Sequence, residues 1–519
     1  MLLACLCPSG AAAGAEEGRL VRHLVVGDVT RFARDIDLDP VNTLTSEIGS
    51  VFRDMFDQLV LLDADGSIVP GAARSWEILE GGSVYEFQLD EGGRWSDGEA
   101  VTARDFVFAW SRQRDPEFAP HTFHAFAQTI RGWALDSDEP FGVRALDDFR
   151  LRIELVEPYA LALEELKFGY FSPLPEHAAP RTRAHWVDWE RRPSNGPYRI
   201  ESSKGNELNL VANPFYKDGP PAIGKVTHLF STWAEASRSL FDGKADVVMS
   251  VSLRQIHWLM QNTGYHVEPR DPEFSFYALN SRAPGLTDPR VRHALRLAVD
   301  RERLVDEVLD GNAAPAHGVI RPGYGGYVPG FSPPPYSQAL AEAKRLMNEA
   351  GYSQQRRLHL VLSNDDDETH VQVALSVARD WSQIFVDLDF AEPMASMHDL
   401  NSFQEQGTYE VTRRRWILGY LSPRDFIQSC EVLKPVHCGY PDPALYVPFA
   451  RHASAETDPV ERNRLFQQAE LGLLEQNTIV PLFHTSLFAL MSGRVEATEG
   501  NDFLNSIMSR QLRWRAEDN

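Results

Sequence analysis

A single hydrophobic core stops growing at roughly 250–300 residues, and this chain has 519 with no internal repeat to divide it into copies. It must fold as two or three lobes. No uninterrupted apolar run reaches the roughly 20 residues that a spanning helix needs. Hydrophobic and charged residues, at 43% and 24%, have the balance of a soluble globular protein. The formal charge of −23 at pH 7 argues against nucleic acid and against anionic lipid, because neutralising phosphates takes clustered Lys and Arg. Its plain reading is solubility.

Helix starts are readable from their caps. Asp288-Pro289 and Asp458-Pro459 each pair an N-cap with a proline in the first turn. The first is followed by the stripe Val291, Ala294, Leu295 and Ala298, the second by Leu465, Phe466, Ala469 and Leu473. A further helix is expected from Ser337 to a stop at Gly351, and another through Ala374, Leu375, Ala378, Trp381 and Phe385. Val84–Leu89, Leu151–Leu155, Leu208–Val211 and Phe276–Leu279 read as strands, the first two with clear period-two alternation. Helices and strands alternate irregularly, which suits an α/β chain of mixed α+β lobes better than one doubly wound sheet.

The N-terminus resembles the end of a secretory signal. Leu2, Leu3, Cys5 and Leu6 are apolar, and Ala13-Gly14-Ala15 forms a cleavage site before Glu16. Its missing basic region points to a start further upstream. Leu2-Leu3-Ala4-Cys5 also fits a lipoprotein signal, with a lipid anchor at Cys5. Beyond Cys5 and Cys7 only Cys430 and Cys438 remain; in an exported chain their spacing favours a disulfide, in a cytosolic one they could be unrelated thiols.

Catalytic motifs are missing. There is no G-x-S-x-G elbow, H-E-x-x-H zinc motif or phosphate loop. Gly323-Tyr324-Gly325-Gly326 reads as a turn. Asp365-Asp366-Asp367-Glu368 lacks the alternate spacing of a calcium loop and reads as a solvated loop. His121 and His124 have nothing nearby to complete a ligand set. No metal, no cofactor and no enzyme activity are expected.

Several stretches in order carry a family likeness. Trp95-Ser96-Asp97-Gly98 leads into Val101-Thr102-Ala103-Arg104-Asp105-Phe106-Val107 and Trp110: a strand end, a D-G turn and a helix capped by Thr102 with Asp105 three residues on. Gly196-Pro197-Tyr198, Asn213-Pro214-Phe215-Tyr216 and Phe241–Asp246 follow. Phe276-Tyr277-Ala278-Leu279-Asn280 precedes Asp288-Pro289-Arg290-Val291-Arg292-His293-Ala294-Leu295. Leu38-Asp39-Pro40, Pro70–Ala73 and Ser75-Trp76 also fit. Over about residues 25 to 490 the chain resembles the family-5 extracellular solute-binding proteins, the oligopeptide and dipeptide receptors of ABC importers.

The resemblance implies a periplasmic-binding-protein-like, hinge-bending clamp of two lobes with an extra third. Lobe I would comprise 16–50, 186–273 and 481–519, lobe II 51–185 and lobe III 274–480, with hinge crossings near 273 and 480. A peptide or peptide-like ligand would lie between lobes I and III, held like an added strand, by a periplasmic monomer that serves the importer's membrane subunits and binds no nucleic acid. The alternative is a sensor or adaptor with a degenerate cleft. The family anchors the ligand amine with an Asp in W-x-A-D-Y; here the segment is Trp416-Ile417-Leu418-Gly419-Tyr420, with Gly419 in the anchor's place. Arg413 matches a basic residue for a ligand carboxylate, and His370 a pocket histidine. Tyr277 and Glu47 complete the expected ligand contacts, and Glu47 or Asp425 could replace the missing carboxylate.

Overall fold

The computed structural model describes residues 20–26, 46–63, 67–115, 126–134, 137–179, 192–231, 233–251, 259, 264–323, 327–394, 397–417, 424–430, 435–497 and 508–515. The signal segment with Cys5, Cys7 and Ala15, Leu38-Asp39-Pro40, His121, His124, Tyr324-Gly325-Gly326, Gly419 and Tyr420 lie outside the described residues, as do the side chains of Glu47 and Asp425.

In chain order, β1 (Val21–Val26) and α1 (Ser46–Met55) precede the hairpin β2 (Val60–Leu62) and β3 (Ile68–Pro70). Then come β4 (Ala73–Leu79), β5 (Val84–Leu89), α2 (Ala103–Gln113), β6 (Val143–Asp147), β7 (Arg150–Glu154) and α3 (Ala162–Leu166). β8 (Tyr198–Lys204), β9 (Glu207–Ala212), β10 (Lys225–Ser231), α4 (Trp233–Phe241) and β11 (Val247–Val251) follow. β12 (His266–Leu279) leads to α5 (Pro289–Leu297), α6 (Arg301–Val308), β13 (Ala314–Pro315), α7 (Tyr336–Glu349) and β14 (Leu358–Ser363). After these stand α8 (Glu368–Ser382), β15 (Val386–Phe390), α9 (Met397–Glu405), β16 (Val411–Ile417), α10 (Arg424–Gln428), α11 (Val447–Ala455) and α12 (Pro459–Leu474). β17 (Ile479–Met491) and the pair β18 (Val495–Ala497) and β19 (Leu512–Trp514) close the chain. No described helix is long and apolar enough to cross a membrane.

One mixed sheet, ordered β15-β14-β16-β12-β17-β11-β1-β10-β9-β8 with β13 beside β17, runs through both halves of the molecule. Its centre is the antiparallel pair β12 and β17, matched from His266↔Met491 to Ala278↔Ile479. β12 also pairs with β16 from Glu273 onward, while β17 pairs with β11 through Phe488–Met491. These two strands therefore carry the chain between lobes. Their register breaks between Pro269 and Pro272 and again between Ser275 and Phe276. Bulges bend and twist a strand, and proline withholds a ladder donor, so the ladder is interrupted at both places. Ile479, Val480, Leu482 and Phe483 pack in lobe III, whereas Ala489, Leu490 and Met491 pack on the lobe I side. The change of core along β17 falls between 484 and 488.

Lobe I is knotted from distant segments. β1 lies parallel between β10 and β11. Asp54 of α1 accepts from the Ser509 amide (2.8 Å) and hydroxyl (2.5 Å), and its Oδ2 lies 3.0 Å from His228 Nε2. Ser509 Oγ is 3.1 Å from His23 Nε2, and the His23 and His228 rings lie 4.9 Å apart, tilted by 34°. Arg510 pairs with Asp57 at 2.7 Å. Burial, and then the neighbouring His228, hold the His23 imidazole well below its usual range. The unfolded chain takes up this proton near pH 6.5 and the folded chain only at lower pH. The contribution of His23 is complete above about pH 6.5 and is lost below it, at up to about 1.4 kcal/mol per pH unit. Between pH 7 and 5 the wild-type melting temperature should fall more steeply than that of His23→Gln. Coincident slopes would show that His23 does not titrate with folding.

Lobe II is built on the antiparallel sheet β4-β5-β7-β6, and its core around Trp95, Phe106, Trp110 and Phe171 is continuous with that of lobe I. The Asp97-Gly98 turn depends on Gly98, whose φ of +96° disfavours any other residue. Buried Asp105 explains the spacing of the motif around it. It accepts from Trp95 Nε1 (3.2 Å), from the Thr102 amide (2.8 Å) and from the Glu176 amide (2.9 Å), fixing strand end, helix start and a remote loop together. Asp105→Ala strands the buried Trp95 Nε1, at about 1–3 kcal/mol, and also unpairs the part-buried Thr102 and Glu176 amides and the Thr102 hydroxyl. The variant should lose on the order of 3 kcal/mol or more, read as a lower urea midpoint at unchanged m-value.

Lobe III has a core on each face of β12. Tyr277 and Leu279 point to α5, α7 and α8, while Phe274, Phe276 and Ala278 point to α10, α11 and α12. The expected caps are in place: Asp288 accepts from the Arg290 amide, and Asp458 from the Val460 amide. The helix expected from Ser337 begins one residue earlier, at Tyr336.

Candidate ligand-binding site

β16 brings three arginines in succession to the hinge. Alternation sends Arg413 and Arg415 to one face and Arg414 to the other. Arg414 is buried and bonded to Asn401 Oδ1 (2.7 Å) and to Gln404. Arg413 lies opposite Tyr277 in the ladder and is almost wholly buried. Its Nη1 donates to Asp365 Oδ2 at 2.7 Å, and its Nη2 lies 2.7 Å from His370 Nε2. His370 Nδ1 in turn is 2.6 Å from Asp365 Oδ1. Burial would raise the Asp365 carboxyl, but the His370 hydrogen bond and the Arg413 charge outweigh it and hold the group at about 2.

This closed group revises two expectations. Asp365 is not part of a solvated loop: it is buried as the counter-ion of Arg413, and Asp367 caps α8 by accepting from the Thr369 and His370 amides. Among the described residues no cluster of His, Cys, Asp or Glu is placed to hold a metal. Arg413, with two nitrogens committed to Asp365 and His370, is a poor partner for a ligand carboxylate. The more accessible cation on that strand is Arg415, one-third exposed and 3.4 Å from Glu273. His370 is the member of the group that solvent still reaches, at 21% exposure.

Tyr277 is also corrected. Its parity on β12 points it into the core, edge-on to Trp381 at 6.3 Å with no exposed surface, so it touches no ligand in this conformation. Trp416 is half-buried at the end of β16, edge-on to Phe426 at 6.2 Å and packed also against Ile320 and Tyr327. The loop carrying those two residues is tied down by buried Glu470, which accepts from the Val319 amide at 2.6 Å and from the Tyr327 hydroxyl. Trp416 therefore stands on a fixed wall. Arg413 and His370 meet on one face of β16, while Trp416 stands on the other, near the end of the strand.

Nothing in the spacing of the sequence marks the contact between α3 and α10. Arg424 of α10 meets Glu165 of α3 at 2.5 Å, with side chains only 2% and 4% exposed. Tyr159 donates its hydroxyl to Glu165 (3.0 Å) and lays its ring 4.6 Å from the Arg424 guanidinium. Arg424 Nε also donates to Ser454 Oγ (3.2 Å), and the Ala160 amide to the Ser454 carbonyl (2.8 Å).

Cys430 and Cys438 are joined by a disulfide with Cα atoms 5.6 Å apart, just after α10. The chain-entropy account gives so small a loop about 2.5 kcal/mol. Denatured, non-reduced protein should show no free thiol at either cysteine, and Cys430→Ser/Cys438→Ser should lose stability by that amount.

Residues 67–431 match the family model described as bacterial extracellular solute-binding proteins, family 5. The chain belongs to that family. Among curated relatives, the periplasmic murein peptide-binding protein MppA of Escherichia coli is 29% identical over 92% of this chain and 89% of its own. The probable deoxycholate-binding periplasmic protein YgiS of the same organism is 27% identical, covering 92% and 91%. A structure of MppA superposes with a TM-score of 0.79 at 26% identity, over 96% of this chain and 99% of that one. Haemophilus influenzae OppA in complex with the peptide RPPGFSPFR gives 0.78 at 25% identity, over 96% and 99%. The unliganded open form of MppA gives a lower TM-score, 0.73 at 26% identity over 95% and 97%.

Proposed function

We propose that the protein is exported to the periplasm, takes up an extended peptide or peptide-like solute between lobes I and III, and delivers it to the membrane subunits of an ABC importer. It acts as a monomer and performs no chemistry on its cargo. The observation that carries the reading is the pair β12 and β17: two bulged strands join the sheets of two lobes, and the whole chain follows a relative solved with a peptide in place. On this reading Trp416 supplies an apolar contact from one face of β16, and Arg415 and His370 supply polar contacts from the other.

The cargo, on this reading, has no cationic amine where Trp416 sets the register. Gly419 stands where the family pattern has a carboxylate. One relative is named for deoxycholate, an anion without an amine, which supports a cleft tolerant of such ligands. Thermal-shift screening with free and N-blocked peptides tests the proposal. A ligand at 100 times its Kd adds about 2.7 kcal/mol of stability. A shift from blocked peptides is expected, and a library that moves nothing would refute it.

A further inference from the structure

Lobe III holds a cavity of about 750 Å3 between the end of α5, the start of α6, the segment Phe331–Pro335 leading into α7, and the end of α12. All its wall residues fall within 293–475; none belongs to lobes I and II or to the Arg413, Asp365 and His370 group. Its size is that of a small-molecule site. Leu297, Val299, Phe331, Pro334, Leu471 and Leu474 give it an apolar lining.

Two guanidinium groups share the inner wall, neither in a direct ion pair among the described residues; the charge of Glu475 acts on Arg296, and those of Glu302, Asp380 and Asp300 on Arg301, from further off. Arg296 donates Nε to Asn477 Oδ1 at 2.6 Å, and its terminal nitrogens have no partner among the described residues. Arg301, itself buried, gives Nε to the Pro481 carbonyl (2.8 Å), Nη1 to that of Val299 (3.1 Å) and Nη2 to that of Arg296 (3.0 Å), with no carboxylate. Burial, and then the charge of Arg296, bring Arg301 down to about 9. Three carboxylates also line the cavity, but at its rim. Glu302 is 62% exposed beside His317 (3.7 Å), Glu342 is held by Arg345 (2.5 Å), and Glu475 is exposed. Burial lowers both His293 and His317, leaving neutral imidazoles near pH 7. The interior therefore offers positive charge at one end of an apolar space, an arrangement that an anion would relieve.

We propose that this cavity is a second binding site, for a small organic carboxylate with an apolar body, whose carboxylate sits on the terminal nitrogens of Arg296. It is independent of the peptide reading, because it shares no residue with the cleft. Calorimetry on the mature protein with 1-naphthylacetate, and with 2-(1-naphthyl)ethanol as the uncharged control, tests it. Saturable one-site binding of the acid is expected, at least tenfold weaker for the alcohol. Arg296→Gln should weaken the acid at least tenfold, Arg296→Lys should retain most of the affinity, and Trp416→Ala in the cleft should leave it unchanged. No saturable binding, equal affinity for acid and alcohol, equal affinity in Arg296→Gln, or loss in Trp416→Ala would each overturn the proposal.

Discussion

Arg424→Met should weaken cargo binding by about two to three orders of magnitude. Arg424 and Glu165 are nearly unexposed and belong to different lobes, so their ion pair stabilises the approach of lobes II and III rather than the fold of either. Removing one partner of a buried pair leaves the other charged and desolvated, at about 3–5 kcal/mol. Each 1.4 kcal/mol is tenfold in affinity. The cost falls on the closed state, the state that holds ligand. Arg424→Met should therefore show a larger radius of gyration in solution and a raised Kd. The double variant Glu165→Leu/Arg424→Met, with both charges gone, should recover much of the loss. A lowered unfolding midpoint with unchanged Kd and radius would show that the pair serves folding and not closure.

A free amine at the end of the cargo should likewise cost affinity, and Gly419→Asp should reverse the preference. Where a buried carboxylate meets an ammonium, truncating one partner costs about 2–5 kcal/mol, which is roughly 30-fold to several-thousand-fold. Calorimetry with matched free and N-acetylated peptides should favour the acetylated form in the wild type and the free form in Gly419→Asp. Nanomolar binding of the free peptide by the wild type, abolished by acetylation, would show that another carboxylate anchors the amine.

What the sequence disclosed was local chemistry. Asp288-Pro289 and Asp458-Pro459 cap helices because a carboxylate and a proline at those positions act on their own neighbours. The segment from Trp95 to Trp110 was legible for the same reason, since Asp105 serves Trp95 and Thr102 within ten residues. Longer-range pairings left no trace. β12 was visible only as Phe276–Leu279, because Pro269 and Pro272 argue against a strand; its partner β17 supplies the ladder that overrides them. Asp365 looked solvated within a run of acids, and only Arg413, 48 residues away, makes it a buried anion. The side of Tyr277 is not legible in the sequence, because parity on a strand cannot be assigned before the strand's two faces are known. Arg296 and Arg301 gave no hint of a shared cavity, which needs α12 folded against α5. Family likeness recovered the architecture, while the site needed the fold.

A clamp that closes on an unaltered peptide-like cargo should carry it through purification. Native mass spectrometry of the protein taken from its own periplasm should find a retained solute of peptide-like composition, blocked or lacking an amine at one end, released intact when the protein is denatured. A protein that emerges empty, and whose melting temperature no member of a free or blocked peptide library then raises, would contradict it.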